Sequence, residues 1–226
     1  MPGGLTSVRW PCLLATGAVA EEFALVSDRE RAARLLIIPA LFDEANKLRR
    51  FTVEVMRRLD GAGIDCFLPD LPGCNESLRL LGDLAADDWA LALEAAARHF
   101  AATHVLAIRG GALLVPPRLP GWCYAPVKGA TMLRQLLRAR VIASREAGTE
   151  ETVDALLTRG ETEGLELAGY RLSPEMLRQL QEFRPRERQG LSLIEQELLG
   201  GSPLWLRAEP GEDRAQADAL AAAVAV

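Results

Sequence analysis

Residues 35–39, L-L-I-I-P, form a short continuous apolar run closed by proline, the pattern of a central strand buried on both faces. A loop, A-L-F-D-E-A-N-K, follows. From about Asn46 to Leu59 the apolar positions Leu48, Phe51, Val55 and Leu59 recur at helical spacing, with Gly61 and Gly63 as the stop signal. The same order then repeats. I-D-C-F-L-P-D at 64–70 predicts a second strand, L-P-G-C-N-E-S at 71–77 a turn-rich loop, and Trp89, Ala92, Leu93, Ala96 and Phe100 one face of a long amphipathic helix. His104 to Ile108 predicts a third strand, G-W-C-Y-A-P at 121–126 a fourth, and P-L-W-L-R-A at 203–208 a fifth. No element is assigned before residue 35. Strands alternating with helices imply a mostly parallel sheet covered by helices on both faces.

Two further helices interrupt the alternation. Residues 130–142 carry Leu133, Leu136 and Leu137 with arginines opposite, and S-P-E-M at 173–176 places a serine cap, a proline in the first turn and an acidic residue at the head of a helix through Leu177, Leu180 and Phe183. With the Gly- and Glu-rich stretch at 147–170 they predict a small helical insertion or cap at about 128–200, inside a single domain spanning 1–226. The tail A-L-A-A-A-V-A-V is biased toward a closing helix.

Composition narrows the class. Hydrophobic residues make up 49% and charged residues 25%, the balance of a globular chain, and the length of 226 residues suits one core. A net charge of -5 offers no positive field for nucleic acid, and the basic runs at 47–50 and 133–140 fall in helical patterns, where solvated faces explain them. The four cysteines contain no C-x-x-C pair, so they indicate reduced thiols and no zinc site; neither metal nor cofactor is expected. There is no signal-peptide pattern and no apolar stretch of bilayer-spanning length, so a cytoplasmic protein is expected. Trp89, Trp122 and Trp205 sit in apolar patterns and read as core.

The stretch V-L-A-I-R-G-G-A at 105–112 has the local form of a nucleophile elbow, a strand turning sharply into a helix, but carries Arg109 where the nucleophile would stand. The order of elements resembles the α/β-hydrolase fold. More narrowly, F-D-E-A-N-K-L-R-R, D-L-P-G-C-N-E-S, I-R-G-G-A-L-L, V-K-G-A-T-M-L-R-Q-L-L-R and L-A-G-Y-R-L-S-P resemble the exosortase A system-associated hydrolase 2 family over roughly residues 35–180. That resemblance implies an esterase-like fold and a setting in bacterial exopolysaccharide production.

Serine-hydrolase chemistry on this fold needs a nucleophile at the elbow and a histidine later in the chain. Arginine stays protonated and cannot be that nucleophile, and the two histidines, His99 and His104, both precede the elbow. An atypical esterase or thioesterase constellation would draw on Cys74, Asp70 and Glu44, although Cys74 and Ser77 read first as turn residues and Asp70 as a partner of its own turn. Arg109 itself has two competing roles. It pairs with Asp43 or Glu44 and ties two loops together, or, with Gly110, Gly111, Glu44, Asn46 and Lys47, it lines a site for a carboxylate, phosphate or sulfate. The expected activity is therefore that of a non-catalytic anion-binding or accessory protein. The partners in view are a small anionic ligand, a protein of the same system, or a second copy docked through the apolar tail.

Overall fold

The computed structural model describes residues 4–13, 17 and 19–224. A seven-stranded sheet has the order β1 (Thr6–Leu13), β2 (Val19–Ser27), β4 (Asp65–Pro69), β3 (Arg34–Ile38), β5 (His104–Ile108), β6 (Gly121–Tyr124) and β9 (Leu191–Ile194). From β4 to β9 all neighbours are parallel, while β2 runs antiparallel to β4 and β1 antiparallel to β2. The mostly parallel α/β architecture is the one expected from the alternating pattern. Two elements differ from expectation. The edge hairpin β1–β2 lies in the stretch given no element, and its Pro11 is tolerated because an outer strand need not donate on both sides. Residues 203–208 do not form a strand: Leu204–Leu206 make one 3-10 turn after Pro203, and the last sheet position goes to Leu191–Ile194.

Period-two alternation divides the core. Leu36, Ile38, Phe67, Val105, Ala107 and Cys123 face one way, toward α2 (Ala86–His99), α3 (Gly129–Glu146), α4 (Val153–Glu163) and α5 (Pro174–Glu182). Leu35, Ile37, Cys66, Leu68, Leu106, Ile108 and Tyr124 face the other, toward α1 (Asp43–Gly61) and the closing helix α7 (Arg214–Val224). Every residue of β4 is buried, as the continuous apolar run requires. Between β6 and β9 the chain forms α3, α4, the hairpin β7 (Leu165–Leu167) and β8 (Tyr170–Leu172), and then α5; the short α6 (Gln196–Leu199) follows β9. Ala168 and Gly169, at φ 49° and 82°, form the two-residue turn of that hairpin, a geometry needing positive φ at both positions. The Ser173 hydroxyl accepts the Met176 N–H at 3.0 Å, so the predicted cap heads α5.

Because β4 and β5 lie on opposite sides of β3, the order of connections reverses beside β3, and the loops leaving β3 and β5 open a crevice at the carboxyl edge. No helix among the described residues is long and apolar enough to cross a membrane.

Candidate functional site

The elbow is formed at that crevice. β5 ends at Ile108, Arg109 takes φ 54°, and residues Arg109–Leu114 turn at once into a buried 3-10 helix. Positive φ at a non-glycine residue is uncommon, and here it is the strained strand-to-helix turn that the I-R-G-G sequence predicts. The two glycines are there for close approach. A Cβ on Gly111 would stand 2.5 Å from the Pro39 carbonyl oxygen and 2.8 Å from that of Ile38, and one on Gly110 would meet the Met132 sulfur at 2.5 Å.

The Arg109 side chain, 8% exposed as a residue, is held on all sides. Its Nε and Nη2 donate to the two carboxylate oxygens of Glu44, each at 2.9 Å, and Nη1 donates to the Ala125 carbonyl at 2.7 Å. The guanidinium carbon lies 4.0 Å from the ring centroid of Trp205. Glu44 sits in the first turn of α1, where the helix N-terminus also favours a carboxylate. Trp205 in turn meets Tyr124 edge-on at 5.9 Å. Of the two acidic partners expected for Arg109, the structure uses Glu44; Asp43 instead pairs with Lys47 at 2.7 Å within α1. Neither Trp205 nor the Ala125 carbonyl is legible as a partner in the sequence, because Trp205 falls in a stretch that reads as a strand and a backbone carbonyl leaves no signal in a side-chain pattern.

The atypical constellation is divided between two cavities. Cys74 lines a cavity of about 500 Å3 between α1, the loop after β4 and the β7–β8 hairpin. Glu44 and Lys47 line a separate one of about 290 Å3 bounded by α3 and Trp205. Leu41 and Phe42 border both. Burial first, then the Asp70 and Glu22 carboxylates, push the Cys74 thiol up to about 12, so it is a neutral thiol at neutral pH. Asp70 accepts Asn75 Nδ2 at 2.7 Å and Arg49 Nη1 at 3.1 Å, and Ser77 Oγ accepts the N–H groups of Gly73 and Arg79 while donating to Glu22. Neither histidine reaches the crevice. His104 begins β5 at the opposite sheet edge and stacks on Trp122, and His99 ends α2 against Trp10 and Phe100. Asn46 is exposed on α1, at the larger cavity and not beside Arg109.

No family model matches the chain, and no curated protein matches it. Solved structures do. A candidate hydrolase from Agrobacterium vitis S4 superposes with a TM-score of 0.53 at 14% identity, covering 98% of both chains. The fold is that of the α/β-hydrolases. Est1E from Butyrivibrio proteoclasticus gives 0.50 at 15% identity over 78% of this chain and 70% of its own. The α/β hydrolase GrgF from Penicillium sp. sh18 gives 0.49 at 16% over 78% and 72%. At such identities the likeness is one of architecture, so any chemistry on this hydrolase fold must be read from the residues present.

Proposed function

We propose that this α/β-hydrolase-fold protein is a non-catalytic binding or accessory protein, its elbow closed by an internal ion pair. The observation that carries the reading is Arg109: the residue in the elbow conformation is a permanent cation whose guanidinium already serves Glu44, Ala125 and Trp205. A group so occupied neither attacks a carbonyl nor accepts a proton. The runner-up, an esterase or thioesterase working through Cys74, Asp70 and Glu44, is opposed by the raised thiol, by the separation of Cys74 and Glu44 into two cavities, and by the distance of both histidines from the site. An anion held by Arg109 with Lys47, Gly110 and Gly111 has less support, since it must displace Glu44 from a bidentate contact and Asp43 from Lys47. The motif resemblance supports a setting in bacterial exopolysaccharide production.

The test is turnover of short-chain nitrophenyl esters and a thioester panel by the purified wild type beside Cys74→Ala and Arg109→Ala. All three are expected to match buffer. Wild-type turnover abolished by either substitution would overturn the reading and identify the residue on which the chemistry depends.

A further inference from the structure

The larger cavity has a chemistry of its own. Its floor and walls are apolar, built from Leu48 and Thr52 of α1, Leu68 and Leu71 at the end of β4, and an aromatic group in which Phe42 lies 5.6 Å from Trp89 and 5.4 Å from Tyr170. The Trp89 indole N–H is used up on the Pro72 carbonyl at 2.8 Å, so that ring offers the cavity only its apolar surface. The polar groups gather at the rim. Asn46, Asn75 and Arg171 are exposed there and Arg49 is half-buried; among the described residues no acidic side chain lines the cavity, Asp70 standing behind Arg49 and Asn75, which both donate to it. Arg49 is engaged by Asp70 through one contact, and Arg171, which forms no ion pair among the described residues, donates to the Glu163 carbonyl at 3.5 Å and stands opposite Glu166 in the β7–β8 hairpin. Tyr170 lines the same cavity, and its hydroxyl forms no hydrogen bond among the described residues. Phe42, the wall shared with the elbow cavity, is held at φ 56°, a costly conformation for a bulky residue and one that clusters at ligand clamps.

We infer that this cavity binds an amphiphilic monocarboxylate, its apolar body against Phe42, Trp89 and Leu71 and its carboxylate on Arg171 with Arg49 and Tyr170. A volume of about 500 Å3 suits a medium-length chain or small ring system. Two guanidiniums at the rim, Arg49 paired with Asp70 and Arg171 without an ion pair among the described residues, match a single negative charge. The proposal deepens the non-catalytic reading and rests on it, because the ligand is held whole, on the far side of Phe42 from the elbow.

The experiment is calorimetric titration of the purified full chain with decanoate and, as a neutral head of the same shape, decanamide, repeated on Arg171→Gln and on Ala45→Phe. Arg171 is exposed, so its variant tests the head without touching the core; Ala45 lines the cavity at the first turn of α1, so phenylalanine there fills it. The expected result is one-to-one binding of decanoate, about 10-fold weaker binding of decanamide, a similar loss for decanoate alone in Arg171→Gln, and loss of both in a folded Ala45→Phe. Equal binding of acid and amide, unchanged binding in Ala45→Phe, or no decanoate binding by the wild type would overturn it. Ester turnover, by contrast, would overturn the non-catalytic reading, while the acid-to-amide ratio still tests the cavity independently.

Discussion

Arg109 takes the elbow backbone conformation while its side chain is held by Glu44, Ala125 and Trp205. The elbow conformation survives because Gly110 and Gly111 still allow the turn to pack against the loop after β3, and the strain at φ 54° is held by the bidentate pair with Glu44. Both partners are largely buried, at 10% and 14% side-chain exposure, so removing either leaves an uncompensated charge. Arg109→Ala is expected to cost about 3–5 kcal/mol by urea unfolding. The double variant Arg109→Ala/Glu44→Ala should recover a substantial part of that loss, since it removes both charges. Simple additivity of the two single costs would show that the pair is not coupled.

At the level of elements, the crevice is positioned by helix and turn signals that are local. α5 starts where Ser173 caps it, and that hydroxyl also donates to the Leu84 carbonyl at 2.6 Å, fastening the segment between β6 and β9 to the one before α2. Ser173→Ala should therefore lose more than a surface cap, about 1–2 kcal/mol in chemical denaturation, with the fold retained. A loss no larger than a few tenths would mean that the Leu84 contact adds nothing. The elements legible in the sequence, such as α1 and β3 to β6, carry strong periodicity or continuous apolar runs within themselves. β9 is not legible because L-S-L-I is brief and follows the polar stretch at 184–190; it becomes a strand only by pairing with β6 from Gly121 to Tyr124.

Across the whole molecule, stability depends on charges buried where β2 meets the loop after β4. Glu22 is 1% exposed, with one oxygen on Ser77 at 3.0 Å and the other unpartnered among the described residues. Burial is the first cause of its raised pKa. A carboxyl raised in the folded state is favoured neutral, so its contribution is present below the ordinary carboxylate range and is lost as pH climbs through the raised value. As pH rises above the ordinary carboxylate range the wild-type Tm should fall relative to that of Glu22→Gln, whose curve lacks that step. Parallel curves for the two proteins would rule Glu22 out as the cause. At the acid end the sign reverses: Arg140 and Ser144 hold Glu151 down at about 2, so its contribution is full above the ordinary carboxylate range and is lost progressively as pH falls from there through about 2.

The sequence by itself determined the alternation of strands and helices, the elbow turn and the permanent cation that stands at it, because each is written in neighbouring residues or in side-chain chemistry. Beside an anion site, it offered Arg109 two adjacent acidic partners, Asp43 and Glu44. Choosing between them took the tertiary structure, since the first turn of α1 directs Glu44 toward the elbow and leaves Asp43 to Lys47. The separation of Cys74 from Glu44, the Trp205 contact and the cationic rim formed by Arg49 and Arg171 were likewise decided only in three dimensions. Each joins residues distant in sequence, and their meeting is set by how the loops of a reversed strand order pack at one edge of the sheet, which no local pattern encodes.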